Sequence, residues 1–206
     1  MKQILIPLLL LTLLGWSQVT TGQVRKTTDN LKAAFKGEST ASAKYAAFAE
    51  QARKEGFLQI ATLFEATSRA ESIHAANHKK VMESMGQKTD IIKPEFTVKT
   101  TLENLTDAIS GETYEMTTMY PGFITTAKTE NATAATKSFR WAMETEKKHQ
   151  IMYQNAITAI KSKKTTELPS VYWVCPKCGN TFDVAKPEAT CSFCGTSSSQ
   201  YIKFGK

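Results

Sequence analysis

Glu71-Ser72-Ile73-His74 and Glu146-Lys147-Lys148-His149 are the two stretches that decide how this chain folds. Each sets a histidine three residues after a glutamate, so in a helix both side chains leave one side of the same turn. Each also falls in the middle of an apolar register. Around the first, about Leu58 to Met85, the register reads Ile60, Leu63, Phe64, Thr67, Glu71, His74, Asn77 or His78, Val81 and Met85 at three- and four-residue steps. Around the second, about Ala132 to Lys161, it reads Phe139, Met143, Glu146, His149, Tyr153, Ile157 and Ile160.

Two more stretches repeat the pattern. A helix expected from a Thr28 or Asp29 cap toward Gly56 carries Leu31, Ala34, Phe35, Glu38, Ala41, Tyr45, Phe48 and Ala52 on one face. Another, about Thr101 to Lys128, carries Leu102, Leu105, Ile109, Glu112, Glu115, Met119 and Phe123, with a kink or interruption at Pro121-Gly122. Each apolar face thus holds a carboxylate. Glu50, Glu65, Glu83 and Glu144 fall off these registers and read as solvated. His78, one turn beyond His74, reads as a supporting or surface group rather than a ligand.

Charge arithmetic turns the pattern into a metal argument. Glu38, Glu71, Glu112, Glu115 and Glu146 gathered in a low-dielectric core would repel one another, and desolvation would raise their pKa values until several were neutral. Two divalent or trivalent cations remove that cost, with His74 and His149 as nitrogen donors. Carboxylate and imidazole suit iron, manganese or zinc, so the donor set leaves the metal open. One glutamate from each of two helices and a Glu-x-x-His from each of two others is a known arrangement of ferritin-like four-helix bundles, and the chain matches it.

The other informative stretch is Cys175-Pro176-Lys177-Cys178-Gly179, followed twelve residues later by Cys191-Ser192-Phe193-Cys194-Gly195, which uses all the cysteines. Two such knuckles wrap one tetrahedral ion, the glycines allowing a tight turn whose N–H groups point at sulfur. A disulfide framework is the competing reading. Ser170 to Lys206 offers a core of only Tyr172, Trp173, Phe182, Tyr201 and Phe204, and a unit that small needs a metal or another staple. Zinc ribbons and iron tetrathiolate sites share these ligands. A one-electron iron centre can feed a neighbouring two-metal site whereas redox-silent zinc cannot, so iron is expected.

Together these features resemble the rubrerythrin family, in which a ferritin-like di-iron domain precedes a rubredoxin-like domain. The resemblance spans about residues 28–206. It is carried by Gly37-Glu38-Ser39 with Lys44-Tyr45, Ala70-Glu71-Ser72-Ile73-His74-Ala75, Gly111-Glu112-Thr113-Tyr114-Glu115 through Met119-Tyr120-Pro121, Glu146-Lys147-Lys148-His149 and the two knuckles. It implies an all-α four-helix ferritin-like bundle followed by a small metal-stapled rubredoxin-like β/loop domain. Two irons would sit in the carboxylate–histidine site and one on Cys175, Cys178, Cys191 and Cys194. Glu71 and Glu146 would bridge, Glu38 and Glu112 would be terminal, and Glu115 would exchange with His74 as the redox state changes. Tyr45 and Tyr120 match family tyrosines near the irons, although by spacing alone both fit a plain core.

The resemblance further implies a peroxidase that reduces hydrogen peroxide to water in oxidative-stress defence, with Glu38, Glu71, Glu115, Glu146, Tyr45 and Tyr120 as the catalytic set. Electrons from a donor that remains unknown would pass through the cysteine iron, between subunits of a homodimer or larger homo-oligomer. Two other functions compete with this one. Ferritin-like iron oxidation and storage would need a large hollow shell. A zinc-ribbon binding module on a helical scaffold would be colourless and indifferent to loss of Glu38 or Glu146.

The expected boundaries are a signal peptide over 1–22, the bundle over 23–164, a linker over 165–170 and the cysteine domain over 171–206. Lys161 to Ser170, charged and then threonine-rich before Leu168-Pro169, suits a linker. Met1-Lys2 precedes an apolar run from Ile4 to Trp16, short for a membrane span but suited to the core of a signal peptide cleaved before Gln23. Export to the periplasm is expected, with membrane attachment only if that segment stays uncleaved. Lysines and arginines number 26 against 19 aspartates and glutamates, a net charge of +7. They are scattered, as in Lys79-Lys80 and Lys161-Ser162-Lys163-Lys164, so a solvated surface is expected rather than nucleic-acid binding.

Overall fold

The computed structural model describes residues 24–206, and the expected signal peptide lies outside them. Among the described residues no helix is long and apolar enough to cross a membrane. Helices α1 (Val24–Lys54) and α2 (Leu58–Ser84) form a hairpin, turned at Gly56, whose φ of 84° favours glycine. After a long irregular connection, α3 (Thr101–Tyr114) runs through a π turn (Glu115–Met119) into α4 (Tyr120–Thr129), and α5 (Thr133–Ser162) closes the bundle.

The start of α1 differs from the Thr28 or Asp29 cap expected. Thr27 and Thr28 lie buried inside the helix, and the Glu130 carboxylate, just past the end of α4, accepts the Thr27 N–H at 3.0 Å. A partner that distant in sequence leaves no local signal. The start of α3 is local: Thr100 and Glu103 form a capping box, each side chain accepting the other's backbone N–H. The interruption expected at Pro121-Gly122 takes the form of the π turn. Pro121 has no N–H to give to the turn before it, and widening that turn carries the chain past the proline without a break.

Two apolar clusters fill the bundle, one with Tyr45, Phe48, Phe64, Leu105 and Tyr153, the other with Leu31, Met82, Tyr120 and Phe139. Each fully buried leucine or phenylalanine contributes about 1.5–3 kcal/mol, which offsets the cost of the acids that the clusters bracket. Strands β1 (Val171–Val174), β2 (Thr181–Phe182) and β3 (Ile202–Gly205) form an antiparallel sheet in the order β2-β1-β3. Its apolar residues divide, where a separate small core was expected. Alternation along β1 turns Tyr172 and Val174 into the first cluster of the bundle, with Phe204 and Leu168 beside them. Trp173, Phe182 and Tyr201 instead gather around the cysteines together with Trp141 of α5.

Candidate metal centres

Four helices bring acids to one interior region. Glu38 on α1, Glu71 and His74 on α2, Glu112 on α3, and Glu146 and His149 on α5 are at most 1% exposed. Their ligand atoms form two groups, Glu38, Glu71, His74 and Glu146, and Glu71, Glu112, Glu146 and His149, with the atoms of each group within 4.8 Å of one another. Glu71 and Glu146 belong to both because their two oxygens face opposite ways. Glu71 Oε2 lies 2.8 Å from His74 Nδ1 and Oε1 lies 3.0 Å from His149 Nδ1. Glu146 repeats this, with Oε1 3.0 Å from His74 Nδ1 and Oε2 3.0 Å from His149 Nδ1. The three-residue spacing on α2 and on α5 produces this near-symmetric set.

Tyrosines hold the outer acids. The Tyr45 hydroxyl donates to Glu112 Oε1 at 2.8 Å, and the Tyr120 hydroxyl donates to Glu38. Glu115, half-buried where the π turn begins, stands outside both four-residue groups. Glu50, Glu65, Glu83 and Glu144 pair instead with surface Arg53, Lys79 and Lys147.

The electrostatics show what this cluster costs. Burial, then Glu115, Glu71 and Glu146, push the Glu38 carboxyl well up. Burial, then Glu71 and Glu146, push Glu112 to about 8. Glu115 rises through burial and the charges of Glu112, Glu146 and Glu71. Burial also acts to raise Glu71, but His149 and His74 outweigh it and bring that carboxyl down to about 2. Burial disfavours charged imidazoles, yet Glu146 and Glu71 hold His74 well above its ordinary value, and Glu71, Glu112 and Glu146 do so for His149. Protons on two imidazoles therefore serve as the cations of the metal-free protein.

The donor set fits two metal ions. Glu38 Oε2, Glu71 Oε1, both Glu146 oxygens and His149 Nδ1 are buried without a well-formed hydrogen bond, at a cost of about 1–3 kcal/mol for each such atom. Coordination would satisfy all of them.

The cysteine knuckles close through Gly179 N–H to Cys175 O at 3.0 Å and Gly195 N–H to Cys191 O at 2.8 Å, with φ of 82° and 73° at the two glycines. The Cys175–Cys194 and Cys178–Cys191 sulfurs are 3.5 Å apart, far beyond a disulfide bond of about 2.05 Å. The disulfide reading therefore falls, and all the sulfurs converge on one point. The Cys178 thiol and the N–H groups of Cys178 and Lys177 draw the Cys175 thiol down to about 4, the thiolate form that a metal takes.

The first knuckle lies against the carboxylate site of its own chain. A Cβ on Gly179 would run into the His74 ring and the Ala70 carbonyl. Thr181 Oγ1 lies 2.9 Å from His149 Nε2. Around this contact Asn77 donates to Lys177 O at 2.9 Å, Lys148 to Asn180 Oδ1 at 2.6 Å, and Trp141 to Phe193 O at 3.1 Å. Both histidines present Nδ1 to the carboxylates and Nε2 to the cysteine domain. This contact lies within one chain, where Tyr172 and Val174 complete the core of the bundle.

Sequence reasoning singled out neither Gly179 for this contact nor Thr181 and Ser138. Ser138 did carry a signal, standing eight residues before Glu146 on the inward face of α5. Gly179 and Thr181 carried none, since their partners depend on docking. His78 is fully buried and belongs to neither metal group. Ser138 Oγ lies 2.8 Å from its Nδ1 and the Tyr120 hydroxyl lies 3.1 Å from its Nε2.

Comparison with known proteins agrees with this construction. The family model described as Rubrerythrin matches residues 29–157. Rubrerythrin-2 of Clostridium acetobutylicum is 32% identical over 179 residues, covering 86% of this chain and 96% of that protein. Nigerythrin of Nitratidesulfovibrio vulgaris is 37% identical over 158 residues, 76% of each chain. A solved nigerythrin in a mixed-valence state superposes with a TM-score of 0.77 at 33% identity over 86% of both chains, and a fully reduced, all-ferrous nigerythrin does so with 0.73 at 32%, again over 86% of each. With the bundle matched by the family model and most of both chains matched by these relatives, the chain belongs to the rubrerythrin family.

Proposed function

We propose that this protein reduces hydrogen peroxide to water at the carboxylate–histidine site, with electrons arriving through the four-cysteine centre. Its cofactors are those of its family, two irons held by Glu38, Glu71, His74, Glu112, Glu146 and His149, and one iron held by the cysteines. Nigerythrin solved in mixed-valence and all-ferrous states supports iron as the metal. When bound, the paired irons supply peroxide with one electron each, and the cysteine iron is the source from which they are replenished.

The observation that carries this reading is the packing of Gly179 and Thr181 onto the outer edges of His74 and His149. Each imidazole spans from the knuckle to the carboxylates, an arrangement that neither storage nor a zinc ribbon requires. Peroxide takes up two electrons and two protons and leaves as two waters, so residues must manage charge and protons in a closed site. Glu71 and Glu146, whose oxygens belong to both groups, would help hold both metals, and Glu38 and Glu112 would each help hold one. Tyr120 and Tyr45 orient Glu38 and Glu112 through their hydroxyls. Phe48, Phe64 and Phe139 wall the site from water. Glu115, outside both groups, would supply a further carboxylate donor in place of His74.

The test is to reduce the iron-loaded protein without oxygen, add one equivalent of peroxide per di-iron site, and follow the visible absorption of the cysteine iron. Rapid return of the oxidised colour, lost in Glu146→Ala, is expected. A colourless zinc-bound protein, or colour that returns as fast in the variant, would end the reading. Size-exclusion chromatography separates the homodimer or small oligomer proposed here from the hollow shell that storage requires.

A further inference from the structure

We propose that Ser138 and His78 form a hydrogen-bonded relay that carries protons from a surface pocket between α2 and α5 to Tyr120 and so to the Glu38 edge of the metal site. The substrate that consumes these protons rests on the peroxide reading above; the relay itself rests on geometry. Ser138, 5% exposed, lines a pocket of about 300 Å³ together with Asn77, Lys80, Lys137, Trp141 and Lys177. From there the path is continuous. Ser138 Oγ lies 2.8 Å from His78 Nδ1, His78 Nε2 lies 3.1 Å from the Tyr120 oxygen, and Tyr120 donates to Glu38.

The donors follow once the Tyr120 hydroxyl donates to Glu38. The Tyr120 hydrogen goes to Glu38, so the phenolic oxygen accepts from His78 and the Nε2 atom of that ring carries a hydrogen. In a neutral ring Nδ1 is then an acceptor, and Ser138 must donate to it. All three hydrogens point inward, the arrangement in which a proton taken up at Ser138 is matched by one released toward Glu38. His78 takes a proton at one nitrogen as it gives one up at the other, and its charge does not change. Full burial of the ring disfavours its charged form and suits that neutral, two-sided state.

At the opposite end of the site, among the described residues, the tyrosine is set differently. Tyr45 donates to Glu112, but its ring is enclosed by those of Phe48, Phe64 and Tyr153. Two protons are needed for each peroxide, and the ligands around the site are at most 1% exposed, so a path on one side has a defined task.

Two variants separate a relay from a packing role. His78→Gln can still donate to Tyr120 and accept from Ser138, but an amide does not pass a proton from one atom to the other, and Ser138→Ala removes the outer donor. In the iron-loaded protein, both are expected to keep their iron yet slow peroxide-driven oxidation at least about tenfold, with a larger solvent deuterium effect than the parent. Rates close to the parent, or a loss with no change in the deuterium effect, would overturn the relay. A second readout is independent of peroxide: nitrogen NMR of the full chain loaded with diamagnetic zinc. It should show His78 neutral and protonated at Nε2, and a ring protonated at Nδ1 would reverse the path and refute it. If the parent consumes no peroxide, the functional reading fails while the NMR result still decides the relay.

Discussion

Gly179 and Gly195 occupy equivalent places in the two knuckles, and the difference between them isolates the contact through which electrons are proposed to reach the carboxylate site. Both have left-handed backbone, with φ of 82° and 73°, so alanine at either costs about 1–2 kcal/mol in backbone strain. At about 2–4 °C per kcal/mol for a chain of this size, melting should fall by about 2–8 °C in each. Only Gly179 faces His74. A Cβ on Gly195 meets nothing within 4 Å, whereas one on Gly179 would stand 2.6 Å from His74 Cδ2, closer still to Nε2, and 3.2 Å from Ala70 O. Ordinary carbon contact needs about 3.5–4.0 Å, so the knuckle or the ring must retreat by about 1 Å. Misplacement on that scale costs up to about 100-fold in rate. The assay is stopped-flow reoxidation of the cysteine iron after peroxide is added to the fully reduced protein. Gly179→Ala should slow it by about 10- to 100-fold while Gly195→Ala, equally strained, stays near the parent. Equal rates in the two variants, with iron content intact, would refute the claim that the Gly179–His74 contact joins the centres.

Other outcomes follow from the same geometry. Glu146→Ala removes an oxygen from both metal groups and should abolish binding of both bundle irons while the cysteine iron and its colour remain; elemental analysis that finds all the iron retained would contradict the shared role of Glu146. Glu115→Ala should keep the iron, since that residue lies outside both groups, but slow peroxide turnover, and an unchanged rate would remove Glu115 from the chemistry. In the metal-free protein, Glu112 at about 8 and the raised His74 and His149 bind more protons folded than unfolded. Their stabilisation is complete below the unfolded values, near 4.5 for the carboxyl and 6.5 for the imidazoles, and is lost as pH rises through the folded ones. Calorimetry should therefore show the metal-free melting temperature falling from about pH 5 to about pH 9, and a rise over that range would show that the cluster is not held by protons.

Much of this protein is legible from spacing alone. Glu71 with His74 and Glu146 with His149 need only a helix to share a face, and Cys175 with Cys178 or Cys191 with Cys194 need only a tight turn. Short-range geometry thus determined the four helices, the inward acids and the two knuckles, because helical period and turn chemistry act within a few residues. Tertiary structure decided the rest. The Glu130 carboxylate tied the first turns of α1 to the end of α4, and packing carried the chain past Pro121 as a π turn instead of a break. The division of Tyr172 and Phe204 from Phe182 and Tyr201 seated the cysteine domain on its own bundle. The contacts of Gly179 with His74, Thr181 with His149, and Ser138 with His78 then followed from that seating and from helix packing. Each joins residues far apart in the chain, and such pairs are selected by the burial of shared apolar surface and the pairing of buried polar atoms, neither of which any local window of sequence contains.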